Sequence, residues 1–335
     1  MSTMGIGPGL TRMVPWYPGQ LGIAGSDAPL GMRLLPESVI YYLAPDSPTA
    51  NDDNDGTDPM YPLLTLPEAF SRCTAGQHDT VVYVAGTAGI TLSAALVWDK
   101  AYTHLIGVAA PIRTAQRARI FASASLAVSP MITISGTGCI WKNLYIFNGA
   151  NSVNALGNVL VTGGRCYFEN VHFAGGGHAT NAIDGCYSLG VSGEGEDLFK
   201  ECTFGLTTIG AATGVRAVAL ISGYPPRLVF EDCIFQLNAS NAGAMMVEAD
   251  SGGWGIDYHL YKNCVFFNSG ATAIDTAFEI DTVTPATQKI FLVNCMRNPG
   301  VDDWEDQAKA CVWVGGSPDM GTGTSMGLME VATVA

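Results

Sequence analysis

Four carboxylates recur at a fixed interval late in the chain: Glu248 and Asp250 in Val247-Glu-Ala-Asp250, Glu279 and Asp281 in Phe278-Glu-Ile-Asp281. If these segments are strands stacked side by side with Ala249 and Ile280 pointing inward, all four acids project from one face, with like charges about 4.8 Å apart. Such a stack calls for solvent, a cation, a partner's Arg or Lys, or a raised pKa. A carboxylate pair about 5 Å apart also suits a retaining glycosidase, one member serving as acid and the other as nucleophile. Trp254, Tyr258 and His259 lie between the two segments and could stack on a sugar. The same 31-residue step places Ala217 and Ala219 before the acids and Ala310 and Val312 after them, so no cation is expected beside the stack. A solvated acidic face is therefore the preferred reading, ahead of a subunit or cation contact and of catalysis.

A second cluster, Asn51, Asp53, Asp55 and Gly56, matches the first half of a calcium loop. Pro62 stands where such a loop needs its last carboxylate, so a solvated turn is preferred over a weak calcium site, and no other cofactor is expected. The chain contains no GxSxG, Walker, HExxH or strand-to-helix GxGxxG pattern. Arg113, Arg117 and Arg119 fall far from the acidic stack in sequence, which counts against a lyase base, and His172 has no visible partner.

The elements that would position these groups are written in a repeat. Leu198-Phe-Lys-Glu-Cys-Thr-Phe204, Val229-Phe-Glu-Asp-Cys-Ile-Phe235, Leu260-Tyr-Lys-Asn-Cys-Val-Phe266 and Phe291-Leu-Val-Asn-Cys-Met-Arg297 align at 31-residue intervals, with earlier copies at Ile140 to Ile146 and Tyr167 to Phe173. A fixed period in this range marks a solenoid, whose repeats bury their apolar faces by stacking on one another. Within each block the apolar positions are spaced three and then two apart, which a straight strand cannot place on one face. A bend at the intervening Asn143, Asn170, Asp232, Asn263 or Asn294 resolves the conflict, because Asn and Asp tolerate a left-handed backbone; Glu201 is a weaker occupant. The position before the bend reads Lys142, Glu169, Lys200, Glu231, Lys262, Val293, an alternation expected to form an exterior ladder of ion pairs.

Strand, one-residue corner and strand resemble the right-handed parallel β-helix of the pectate-lyase-like superfamily, over roughly residues 40 to 320. The fold expected is all-β, a right-handed parallel β-helix solenoid with a short N-terminal capping helix and an extended N-terminal arm. Residues 39–80 read as a first strand, an acidic turn and a capping helix, with Thr65 and Glu68 at capping-box spacing. This arrangement resembles the leading segment of viral and bacterial β-helix proteins. Residues 81–335 form the β-helix with a C-terminal tail. Residues 1–38 have no period yet hold Met13, Trp16, Tyr17, Leu34 and Leu35, more apolar than an ordinary disordered tail, and read as an arm for assembly or anchoring.

Composition narrows the setting. The chain is 48% hydrophobic and 14% charged with 40 Gly, and its net charge of −14 with 16 Lys plus Arg argues against a nucleic-acid partner. The uncharged runs Val81 to Trp98 and Phe121 to Trp141 alternate like buried strands, so no membrane span is expected. Nine cysteines without CxxC spacing read as free thiols, four of them in the column Cys202, Cys233, Cys264 and Cys295. The N-terminus lacks signal-peptide character, so synthesis in a host cytoplasm and residence in a virion are expected. Because the repeat resembles phage-borne β-helix spikes, the function expected is a virion structural protein, a bacteriophage capsid decoration or spike subunit attached through its arm to other virion proteins. A homotrimer is the partner state such a resemblance implies. The alternative is a tailspike depolymerase, glycosidase or lyase, acting on host polysaccharide; a self-standing carbohydrate-active enzyme ranks third.

Overall fold

The computed structural model describes residues 37–221, 227–249, 258–280, 289–305, 312–315 and 330–331. Each winding lays strands on three faces. The first face runs from Ile40–Leu43 through Thr80–Val84 and His104–Val108 to Leu228–Glu231, Tyr258–Lys262 and Lys289–Val293, every neighbour parallel. The second carries Arg119–Ala122, Ile234–Ala239 and Val265–Asn268, and the long strands Ile140–Asn148 and Tyr167–Gly176 bend from one face onto the other. The third is an 8-stranded sheet that includes Arg216–Leu220, Met245–Ala249, Ile274–Ile280 and Val301–Glu305. The protein is a parallel β-helix, as expected. Val312–Gly315 pairs antiparallel with Glu330–Val331, which supplies a partner at the far edge of the first face.

The corner works as its residue types require. Asn143, Asn170, Glu201, Asp232, Asn263 and Asn294 all have φ between 52° and 56°, a left-handed bend for which a short polar side chain compensates locally. Asn170 Nδ2 donates to Asn143 Oδ1 at 2.9 Å and Asn263 Nδ2 to Asp232 Oδ1 at 3.1 Å, so the side chains form their own ladder up the corner. The bend turns both flanking apolar positions inward. Phe168, Phe199, Phe230 and Tyr261 stack with centroids 4.8, 4.8 and 4.7 Å apart, and Phe204, Phe235 and Phe266 follow at 4.9 and 4.6 Å. The coil rise sets these spacings, and each stacked pair adds about 0.5 to 1.5 kcal/mol beyond burial. Between the two columns lie the buried thiols, each donating to a carbonyl of the coil before, as Cys233 Sγ does to Phe199 O at 3.3 Å. All the described cysteines are free and buried; Cys311 lies outside the described residues.

A second left-handed column stands two residues ahead of the first face: His78, Tyr102, Gly138, Arg165, Glu196 and Arg227, with φ between 50° and 69°. Its members share the spacing of the blocks but no side-chain chemistry, so residue type does not announce it. Its later rungs pair in charge, Arg165 Nε with Glu196 Oε2 at 2.7 Å and Arg227 with Glu196 Oε1. Arg227, then Arg165, holds the Glu196 carboxyl below the usual carboxylate range.

The N-terminal end is closed by the helix Leu66–Arg72, whose N-cap Thr65 Oγ1 accepts from Glu68 N at 3.4 Å. The helix buries Leu66, Ala69 and Phe70, and the Phe70 ring stacks on Trp98 at 4.2 Å. Lys100 Nζ donates to the carbonyls of Phe70, Ser71 and Cys73 at 3.0, 2.6 and 2.7 Å, satisfying the groups a helix C-terminus leaves open. Among the described residues no helix is long and apolar enough to cross a membrane.

Candidate functional site

The acidic stack is real in register but not in its expected surroundings. Glu248 pairs with Glu279 across parallel strands, flanked by Val247 with Phe278 and Ala249 with Ile280, and Val247 and Ala249 are buried. Asp250 and Asp281 lie outside the described residues. The step from the previous coil is 29 residues rather than 31, because Ala219 faces Glu248 and Arg216 faces Met245. The loops between faces absorb the difference while the corner blocks keep their interval. The consequence is a cation where none was expected: Arg216 grips Glu248 with Nη2 at 2.7 Å from Oε1 and Nε on Oε2, the two side chains each 18% exposed. On the other side the step is 27 residues rather than 31, with Asp303 facing Thr276 and Glu305 facing Phe278. Glu279 Oε2 accepts from Thr276 Oγ1 at 3.3 Å.

This geometry decides what Glu248 can do. Both its oxygens lie against one guanidinium, so Glu248 is engaged in an ion pair with the neighbouring coil. A carboxylate that attacks or protonates a sugar needs an oxygen that can reach the substrate. Of the residues expected to stack on a sugar, Tyr258 is 40% exposed, His259 is buried in the first face, and Trp254 lies outside the described residues.

The acidic turn is closed by its own side chains. Asn51 Oδ1 accepts from Asp53 N at 3.1 Å, and Asp55 Oδ1 accepts from Thr57 N at 2.9 Å, which with the Thr57 hydroxyl lowers the Asp55 carboxyl. Asp52 ties the turn to the helix, accepting from Leu64 N at 2.9 Å and from Thr65 N and Oγ1 at 2.8 Å. Among the described residues no three His, Cys, Asp or Glu side chains are placed to hold a metal. Met13, Trp16, Tyr17, Leu34 and Leu35, the residues expected to anchor the arm, lie outside the described residues.

A feature without any sequence period crosses the outer wall. Residues 109–118 leave the strand His104–Val108 and run up the solenoid over the corners of later coils. Asn143 Nδ2 donates to Ala109 O, Gln116 Nε2 to Asn170 O, and Thr203 Oγ1 to Arg113 O, at 2.9, 2.8 and 2.7 Å. Arg113 also donates to Asp232 O, 119 residues away in the chain. His172, for which the sequence offers no partner, is 1% exposed beneath this strap. Its Nδ1 accepts from Ala115 N at 3.0 Å and its Nε2 bonds Gly205 O at 2.8 Å.

No family model matches the chain, and no curated protein matches it. Among solved structures it is similar to the deglycosylated pectin methylesterase from Aspergillus niger, at 13% identity over 83% of this chain and 92% of that one, with a TM-score of 0.49. Pectate lyase Pel9A follows at 13% identity, 80% and 78% coverage and a TM-score of 0.44. ORF18 of Geobacillus virus E2 matches at 11% identity over 82% of this chain and 61% of that chain, with a TM-score of 0.41.

Proposed function

We propose that the protein is a structural subunit of a virion, a capsid decoration or spike held to other virion proteins by residues 1–38. The observation that carries this reading is the N-terminal cap. Helix Leu66–Arg72 covers the end of the solenoid with Leu66, Ala69 and Phe70, and Lys100 seals its last carbonyls. Among the described residues the cap draws its apolar cover from this helix, and the apolar side chains of Met13, Trp16 and Tyr17 would gain stability by burial against a partner. A homotrimer of β-helices fits the same role. The Arg216 grip on Glu248 supports a scaffold over a depolymerase that would work through Glu248.

Co-production of the chain with and without residues 2–36 in cells assembling the particle tests the anchoring role. The shortened chain should keep the melting midpoint of the solenoid and be missing from purified particles. Incorporation at the level of the full chain would refute the proposal.

A further inference from the structure

His172 fixes the strap in one protonation state. Because Ala115 donates its backbone N–H to Nδ1, that nitrogen must carry a lone pair, and the imidazole proton sits on Nε2, aimed at Gly205 O. Gln236 Nε2 donates to the same carbonyl at 3.1 Å. Residue 205 has φ of +86°, and a Cβ there would lie 2.0 Å from the backbone oxygen Gln236 O, so the two coils can pack this closely only with glycine at this position. A second proton on His172 would enter at Nδ1 and set N–H against N–H, removing the strap's contact at Ala115.

We propose that residues 109–118 form an acid-released strap whose latch is the neutral imidazole of His172, and that release uncovers a polar shelf made by His172, Thr203 and Gln236. The three shelf side chains are 1%, 0% and 7% exposed with the strap closed. The groups facing the imidazole are Ala115 on the strap, the Tyr145 ring at 5.0 Å from the strand Ile140–Asn148, Gly205, and Gln236 from the strand Ile234–Ala239. The charged side chains carried by the segments packed against it are Arg113 and Arg117 on the strap, Lys142 on Ile140–Asn148 and Glu169 on Tyr167–Gly176, and the bonds to His172 come from Ala115, Gly205 and Gln236, none from a carboxylate. Burial accordingly pushes His172 down to about 4 from the ordinary 6.5.

The sign follows from linkage. The released strap leaves an ordinary histidine, which binds a proton at a higher pH than the latched one, so acid favours release. The open fraction should rise as pH falls from about 6.5 to about 4, at most about tenfold per pH unit, and level off below.

Hydrogen exchange read by mass spectrometry on the full chain tests this directly, after correction for the intrinsic pH dependence of exchange. Strap peptides spanning 109–118 should lose protection by roughly fortyfold between pH 6.5 and pH 4.5, while peptides from Ile140–Asn148 and Ile234–Ala239 stay protected. In His172→Gln an amide oxygen can take the Ala115 bond and an amide N–H the Gly205 bond without titrating, so the strap should remain protected throughout. Unchanged strap protection in the native chain down to pH 4, or the same loss in His172→Gln, would overturn the proposal. The native measurement decides the matter should His172→Gln not fold.

Discussion

The same rung of the charge ladder occurs in two settings. Lys142 and Glu169 meet at 2.6 Å with side chains 8% and 7% exposed, beside the corners that the strap lies against, and Tyr167 adds its hydroxyl to Glu169 at 2.9 Å. Two coils further on, Glu231 and Lys262 meet at 2.7 Å but stand 28% and 46% exposed. The repeat writes both pairs at the same block position with the charges in opposite order, and a non-repeating loop goes with the difference in their surroundings. A buried pair is strongly destabilising to break, because the survivor is left without a partner in low dielectric, whereas an exposed pair is solvated either way. The teaching is that periodicity sets the register, and the insertions set the energetics.

Breaking the buried rung should have the largest effect. Lys142→Met strands Glu169 and should lower stability by about 3 to 5 kcal/mol in denaturant unfolding, and the double change to Met and Leu should recover most of it. Recovery of nothing would mean the pair itself is not the source.

A second buried charge sharpens the contrast through pH. Asp197 is 1% exposed, accepts from Cys166 N at 2.8 Å through Oδ1, and has no partner for Oδ2. Burial pushes its carboxyl up to about 7 from 3.8. The folded state therefore holds its proton where the unfolded chain has lost it, so this group makes stability fall as pH rises from about 4 to about 7. Asp197→Asn should remove that slope and gain stability at pH 8, on the order of a few kcal/mol before any loss from the unpaired amide. Equal pH profiles for the two proteins would contradict the assignment.

Smaller effects belong to the corner and the open rung. Glu201 holds φ at 53° between Asn170 and Asp232. Glu201→Asn should raise the midpoint slightly, by about 0.5 to 1 kcal/mol, since Asn adopts this region more readily. Lys262→Met should leave the midpoint almost unmoved, and whatever change appears should vanish at high salt.

Much of this was legible in the residues. Asn143, Asn170, Asp232, Asn263 and Asn294 announce the corner because few side chains tolerate that backbone, and the cysteine and phenylalanine columns follow from the same register. Even Glu201, the weakest candidate, bends as its neighbours do, since stacking on both sides outweighs its own preference. The third face was misread because its steps of 29, 31 and 27 residues follow loop length, not the 31-residue block. Arg216 was missed for that reason. The strap was invisible because Ala115, Gln116 and Arg113 bond their partners through irregular backbone and long side chains, contacts that no period encodes. His172 has no partner in the block pattern, and its burial comes from the strap at Ala115 together with Tyr145, Gly205 and Gln236.

The central claim is that the arm serves another protein and not its own solenoid. A photo-reactive phenylalanine analogue at position 17, in place of Tyr17, tests it in assembled particles. The account predicts cross-links from this position to a different virion protein. Cross-links confined to residues 37–335 of the same chain would contradict it and make the arm a part of the β-helix's own covering.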